Sequence, residues 1–327
     1  MLPAPAESSN HNQAPLPDDL RGANLAGRDL RGLDLSNRDF TGADLTDADL
    51  RGASLMGAVF VDAMLVRARL DDCECMTADF AGADLSEAHA ERASFGRAHL
   101  AGTVLFAAIL NQARFTEANL SGADLRRAEL TDARLRGADL RGADLTGAVL
   151  CNGDLVDTQA ARACFDDVDL RRARVKRLAG YESASWVGID IQDVDFTGAY
   201  IMRRFVADQN YLDEMRRRSR THAVFFHLWK ITSDCGRSFS RWALWTAGIA
   251  TLFALIYPHV GIDYGAHETA LSPFYFSVVT LTTLGYGDVQ PSSIGGQIVT
   301  MIEVCIGYVM LGGLLAIVSN KMARRAD

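Results

Sequence analysis

The chain has 327 residues, with 33 Lys+Arg against 41 Asp+Glu and a net charge of −8. Its mean hydropathy of +0.03 averages unlike parts: residues 1–201 carry net −11, residues 202–241 net +5, and residues 242–327 net −2 among long apolar runs. That split excludes one uniform domain, leaves room for two, and sets a basic stripe beside an apolar stretch, as at a membrane surface.

Met1–Pro17 pairs no basic region with an apolar core, so residues 1–17 read as a short disordered tail and not a signal peptide. Cys73, Cys75, Cys151, Cys164, Cys235 and Cys305 form no paired framework, and reduced thiols are expected.

From Leu20 to Val175 an inward-type residue recurs at every fifth position, giving 32 slots of which only Cys75, Ala90 and Ala160 are not large and apolar. A small residue stands two places earlier (Ala43, Ala83, Ala123, Ala143), and Asp or Asn often fills the place between, as in Ala43-Asp44-Leu45. A period of five fits neither a 3.6-residue helix nor a period-2 strand, so it is an internal repeat. The pattern resembles the pentapeptide-repeat family, which implies a right-handed quadrilateral β-helix with the central apolar residue and the small residue facing inward. Four repeats per coil give about eight coils, and at ~4.8 Å per layer a rod about 38 Å long. After Val175 the frame slips by one. Tyr181, Trp186, Ile191, Phe196 and Ile201 continue it, with a loop or bulge near 176–184, so the β-helix is expected over 18–201.

Cys73 and Cys75 occupy inward slots, which favours core thiols over zinc ligands. His89 and His99 fall in the exposed slot usually held by Asp or Asn. The acidic surface resembles that of pentapeptide proteins that mimic DNA, but the interspersed Arg126, Arg127, Arg134, Arg136 and Arg141 dilute any phosphate-like ladder. A scaffold or interaction rod, with an unidentified cytosolic partner, is the simpler expectation.

Residues 202–241 read as a basic linker and interfacial helix. Phe225, Phe226, Leu228 and Trp229 lie close to Lys230, Arg237 and Arg241, a pattern that suits anionic lipid headgroups near 216–241. Trp242–Ile262 holds no Asp, Glu, Lys or Arg and is long enough for one bilayer core. A second apolar run, 294–320, is interrupted only by Glu303. Arg237 and Arg241 precede the first span and Lys321, Arg324 and Arg325 follow the second, while the loop between them has no Lys or Arg. By the positive-inside rule both termini face the cytoplasm, in a multi-pass cell (inner) membrane protein.

Between the spans, Ser272-Pro273 reads as the capped start of a short helix over 273–282. It leads into Thr283-Leu284-Gly285-Tyr286-Gly287-Asp288. This stretch resembles the selectivity filter of two-span potassium channels, with Leu284 where Val is usual. The resemblance covers about 242–322 (spans 242–260 and 294–320, filter 283–287) and implies four chains around one pore, with K+ as the permeant ion. Dehydrating K+ needs rings of backbone carbonyls, and turning them one way requires positive φ, which Gly285 and Gly287 accept freely. By the same resemblance Gly307 stands at the inner-helix hinge, with close helix packing an equal alternative for that glycine, and Tyr308, Leu311, Leu315 and Ser319 line the cavity and gate.

An ionisable Glu303 inside a span is a functional candidate, expected to hydrogen-bond Thr280, Thr282 or Ser277 behind the filter. Val279 replaces an acid that this channel family often carries in the pore helix, while Tyr275 remains placed to reach Asp288. The fold class is therefore multidomain: a β-helix followed by an all-α two-span pore domain (242–327) with a re-entrant helix. The expected function is a homotetrameric K+ channel with a regulatory or assembly rod, no organic cofactor and no enzymatic constellation. The rivals are a membrane-anchored interaction protein and a less selective cation channel.

Overall fold

A computed structural model describes residues 16–233, 238–265 and 268–326. The tail up to residue 15, Cys235, Arg237 and His267 lie outside the described residues, as do the side chains of Phe225, Lys321, Arg324 and Arg325. The chain divides into two compact units, Met1–Asp213 and Glu214–Asp327.

The first unit is a β-helix. Each fifth residue from Leu20 to Val175 is buried, as is the small residue two places before it from Ala43 onward. Parallel bridges join residues 20 apart, from Asn24↔Asp44 through Gln159↔Ala179. Corners are four-residue turns closed by bonds such as Ala23 N to Leu20 O (3.2 Å). The third turn residue has positive φ, as at Asn37 (58°) and Arg67 (56°), the geometry of a type II turn. Aromatic rings in successive coils stack at the layer spacing: Phe40–Phe60 at 4.7 Å and Phe60–Phe80 at 4.8 Å. Where a polar residue takes the small inward slot it bonds a carbonyl of the preceding coil. Cys73 Sγ donates to Leu50 O (2.9 Å), Thr103 Oγ1 to Phe80 O (2.7 Å) and Thr158 Oγ1 to Leu135 O (2.9 Å).

The recurrent Asp has a structural cause that the repeat pattern alone did not disclose. Asp44 Oδ1 accepts the backbone N–H of Thr46 (3.0 Å) and Asp139 Oδ1 that of Arg141 (3.0 Å), satisfying a donor at the corner. The Arg two places on then folds back onto the same carboxylate, as in Asp29–Arg31 and Asp169–Arg171, both 2.6 Å. These guanidinium bonds hold the Asp29 and Asp169 carboxyls down at about 2.

The frame slip enters later than Val175. Leu178 is still buried and Ala179 still in register; the extra residue enters at Gly180–Ser183, after which Cys164 pairs with Ser185. Gly180 takes φ 76° beside Ala161, where a Cβ would lie 2.7 Å from that backbone. Trp186 and Phe196 are buried and Ile191 is half-buried. Ile201 is not inward: it is 77% exposed on helix α1 (Tyr200–Arg218), which already begins at Tyr200 and turns Met202 and Val206 onto the core instead. A strand slot became a helix because the next burial partners recur four residues apart.

Helix α1 closes the end of the rod with two side-chain amides. Gln209 Oε1 accepts from Trp186 N (2.9 Å) and Nε2 donates to Ala184 O (3.1 Å). Asn210 Oδ1 accepts from Gly188 N (2.7 Å) and Nδ2 donates to Trp186 O (2.9 Å). The pair supplies the donors and acceptors that a further coil would offer to an open strand edge.

The second unit holds α2 (Arg220–Ser233), α3 (Phe239–Ile256), α4 (Ser272–Leu281) and α5 (Ile294–Ala326). Two stretches, Phe239–His259 and Ile294–Ser319, are long and apolar enough to cross a membrane. Ser238 Oγ caps α3 by accepting from Arg241 N (3.2 Å). A two-stranded ribbon, β1 (Ile262–Asp263) antiparallel to β2 (Gln290–Pro291), ties the end of the first stretch to the start of the second. Trp242 Nε1 donates to Met310 O (3.0 Å) and fixes the other ends.

Candidate functional site

Helix α4 packs against α3 and α5, with Phe276 against Phe253 and Tyr257. Ser272 does not cap it. Ser272 is the first helical residue, and its Oγ accepts from Thr269 N (2.8 Å), while Pro273 takes a first-turn place where no N–H is needed. At the far end, Thr283 N bonds Thr280 O and Leu284 N bonds Val279 O, both 3.0 Å, so the chain leaves α4 directly into the loop 283–287. There φ is positive at every second residue: Thr283 (59°), Gly285 (51°) and Gly287 (77°). Thr283 adopts this conformation without glycine's freedom, which residue type did not forecast.

The loop has little cover within one chain: Leu284 is 59% and Tyr286 67% exposed. At its end Tyr275 Oη donates to Asp288 Oδ2 (2.8 Å). On α5, Tyr308, Leu311, Leu315 and Ser319 are all exposed and recur three or four residues apart along one stripe. The α4 C-terminus, with its partial negative charge, abuts the loop, and Thr280 is buried in the last turn.

Glu303 is fully buried on α5. It does not reach Thr280 or Thr282, whose Oγ1 donates to Val278 O (2.7 Å). Its carboxyl meets Ser277 of α4 and Tyr257, just beyond α3. Tyr257 was missed as a partner because 46 residues separate the two and no spacing rule joins them. Gly307, one turn on, lies against the end of α4. A Cβ there would stand 2.3 Å from Leu281 O, so close approach explains this glycine without a hinge. Gly312 has open space and is under no such constraint.

Family models match part of each unit. Eight copies of pentapeptide repeats match within 19–74, 78–105 and 108–177, and the ion channel family matches residues 244–324. The chain joins pentapeptide repeats to an ion-channel domain. That domain is 35% identical over 86 residues to two-pore potassium channel 4 of Arabidopsis thaliana, covering 23% of this chain and 30% of that protein. It is 38% identical over 60 residues to probable potassium channel protein 2 of Methanocaldococcus jannaschii, covering 18% of this chain and 16% of that protein. The match thus spans less than a third of the length of these curated relatives. The β-helix is similar to HetL, a pentapeptide repeat protein of Nostoc sp. strain PCC 7120, at 27% identity, 55% of this chain, 90% of that one and a TM-score of 0.36.

Proposed function

We propose that this protein is a homotetrameric, potassium-selective channel whose selectivity filter is Thr283–Gly287. The observation that carries the reading is the alternation of positive φ at Thr283, Gly285 and Gly287 in an exposed loop between two apolar stretches. A strand sends successive carbonyls to opposite sides, whereas alternating the sign of φ turns them toward one. Four such loops around an axis stack rings of oxygens that replace the hydration shell of K+. One chain supplies one wall, and non-helical backbone at membrane depth needs protein around it.

In this assembly Asp288, Tyr275, Thr280 and Glu303 support the filter from behind and at its outer mouth. Tyr308, Leu311, Leu315 and Ser319 face the inner cavity, and Gly307 acts through packing. Both termini lie in the cytoplasm, α2 rests at anionic headgroups with Val224, Leu228 and Ile231 exposed to lipid, and the rod serves regulation or assembly. Purified protein in vesicles loaded with K+ should drive dye uptake under a K+ gradient and not under a matched Na+ gradient. Equal uptake under both would support the less selective cation channel instead.

A further inference from the structure

A buried carboxyl in a membrane span needs a cation, several donors, or its own proton. No Lys or Arg occurs between Arg241 and Lys321 in this chain, so no neighbouring copy offers one at that depth either. Among the described residues, only two hydroxyls meet Glu303: Tyr257 Oη at Oε2 and Ser277 Oγ at Oε1. Tyr257 is also the one other titratable group facing it from the packed elements, among the described residues. An anion with two neutral donors and no counter-charge is left poorly compensated.

The hydrogen count points the same way. Ser277 Oγ lies 2.9 Å from Ala250 O, a carbonyl that only accepts, and also touches Glu303 Oε1. One hydroxyl carries one hydrogen. If Ser277 donates to Ala250, the contact with Glu303 needs a hydrogen from the carboxyl. Tyr257 then donates to Oε2, Glu303 Oε1 donates to Ser277, and Ser277 donates to Ala250. All three contacts are satisfied in one direction.

We propose that Glu303 is a neutral carboxylic acid at pH 7 and acts as the positioning residue that pins the short helix α4 to both spans. Its proton closes a relay from Tyr257 through Glu303 and Ser277 to the backbone of α3. This role deepens the filter-support reading of the channel, since α4 delivers the chain into 283–287. It gives the acid a place that an apolar side chain cannot fill, because an apolar substitute removes the acceptor of Tyr257 Oη and the donor to Ser277 Oγ together, and with them the link between the three elements.

The test uses the full-length protein in lipid nanodiscs. Infrared spectra at pH 7 should show the carbonyl stretch of a protonated carboxyl that disappears in Glu303→Gln. Gln reproduces the relay, with its amide N–H donating to Ser277 and its carbonyl accepting from Tyr257. Thermal unfolding of Glu303→Gln should therefore stay within a few degrees of wild type, while Glu303→Ala falls well below both. Raising the pH until the infrared band is lost should lower the melting temperature of wild type but not of Glu303→Gln. Absence of the band at pH 7, or Glu303→Gln as unstable as Glu303→Ala, overturns the proposal. None of these readouts requires current, so a wild type that shows the band but conducts K+ and Na+ alike would refute the selective-channel reading and leave this one standing.

Discussion

Substituting Gly307 by Ala separates two explanations of the same glycine. If Gly307 is a hinge, Ala should make α5 stiffer and more stable, by ~1 kcal/mol of helix propensity, while reducing opening. If it is a packing glycine, the new Cβ sits 2.3 Å from Leu281 O, about 1 Å inside ordinary contact, and that oxygen belongs to rigid backbone. Overpacking of this kind costs ~1–3 kcal/mol. The displaced carbonyl lies two residues before Thr283, so the shift is delivered straight to the proposed filter. Gly312→Ala is the internal control, since nothing lies within 4 Å of its Cβ. Thermal unfolding of the intact assembly in nanodiscs should show Gly307→Ala below wild type and Gly312→Ala at or above it. Gly307→Ala at or above wild type would refute the packing account and restore the hinge.

Replacing both Gln209 and Asn210 by Ala strands four backbone groups of the last coil and should cost ~1–3 kcal/mol for each group that stays buried. Hydrogen exchange at the Trp186 and Gly188 amides should accelerate; unchanged protection would mean that α1 caps by apolar contact alone. The rod should lose stability in acid. Asp29 and Asp169 have folded values lowered to about 2 by their arginines, so their contribution is full above the usual value near 3.8 and vanishes as pH falls through 2. A melting temperature of the rod that stays flat from pH 5 to pH 2 would contradict this. Tyr275→Phe removes the bond to Asp288 and, on the proposed reading, should speed current decay during sustained activation; identical decay would remove Tyr275 from the support of the filter.

The inward ladder of the rod was readable because one residue in five must fill the axis of a coil, and that constraint repeats too often to be hidden. The end of the rod was less readable. Ile201 keeps the five-residue frame yet lies exposed, because burial passed to Met202 and Val206 on a helical period. In the second unit the apolar lengths were legible from composition, whereas the loop 283–288 was singled out by its resemblance to a channel filter. The pairing of Glu303 with Tyr257 was not, since it depends on how three helices pack and on no local rule. Gly307 shows the limit most sharply. A glycine required by close approach and one required for bending look alike until the carbonyl of Leu281 is placed against it.

The central claim is selective conduction, and single-channel recording of the purified protein in a planar bilayer tests it most directly. Under opposing K+ and Na+ gradients the current should reverse near the K+ equilibrium potential, and Gly285→Asp should abolish it. A current that reverses midway between the two equilibrium potentials would contradict K+ selectivity, and one that survives Gly285→Asp would place the conducting path outside the loop 283–287.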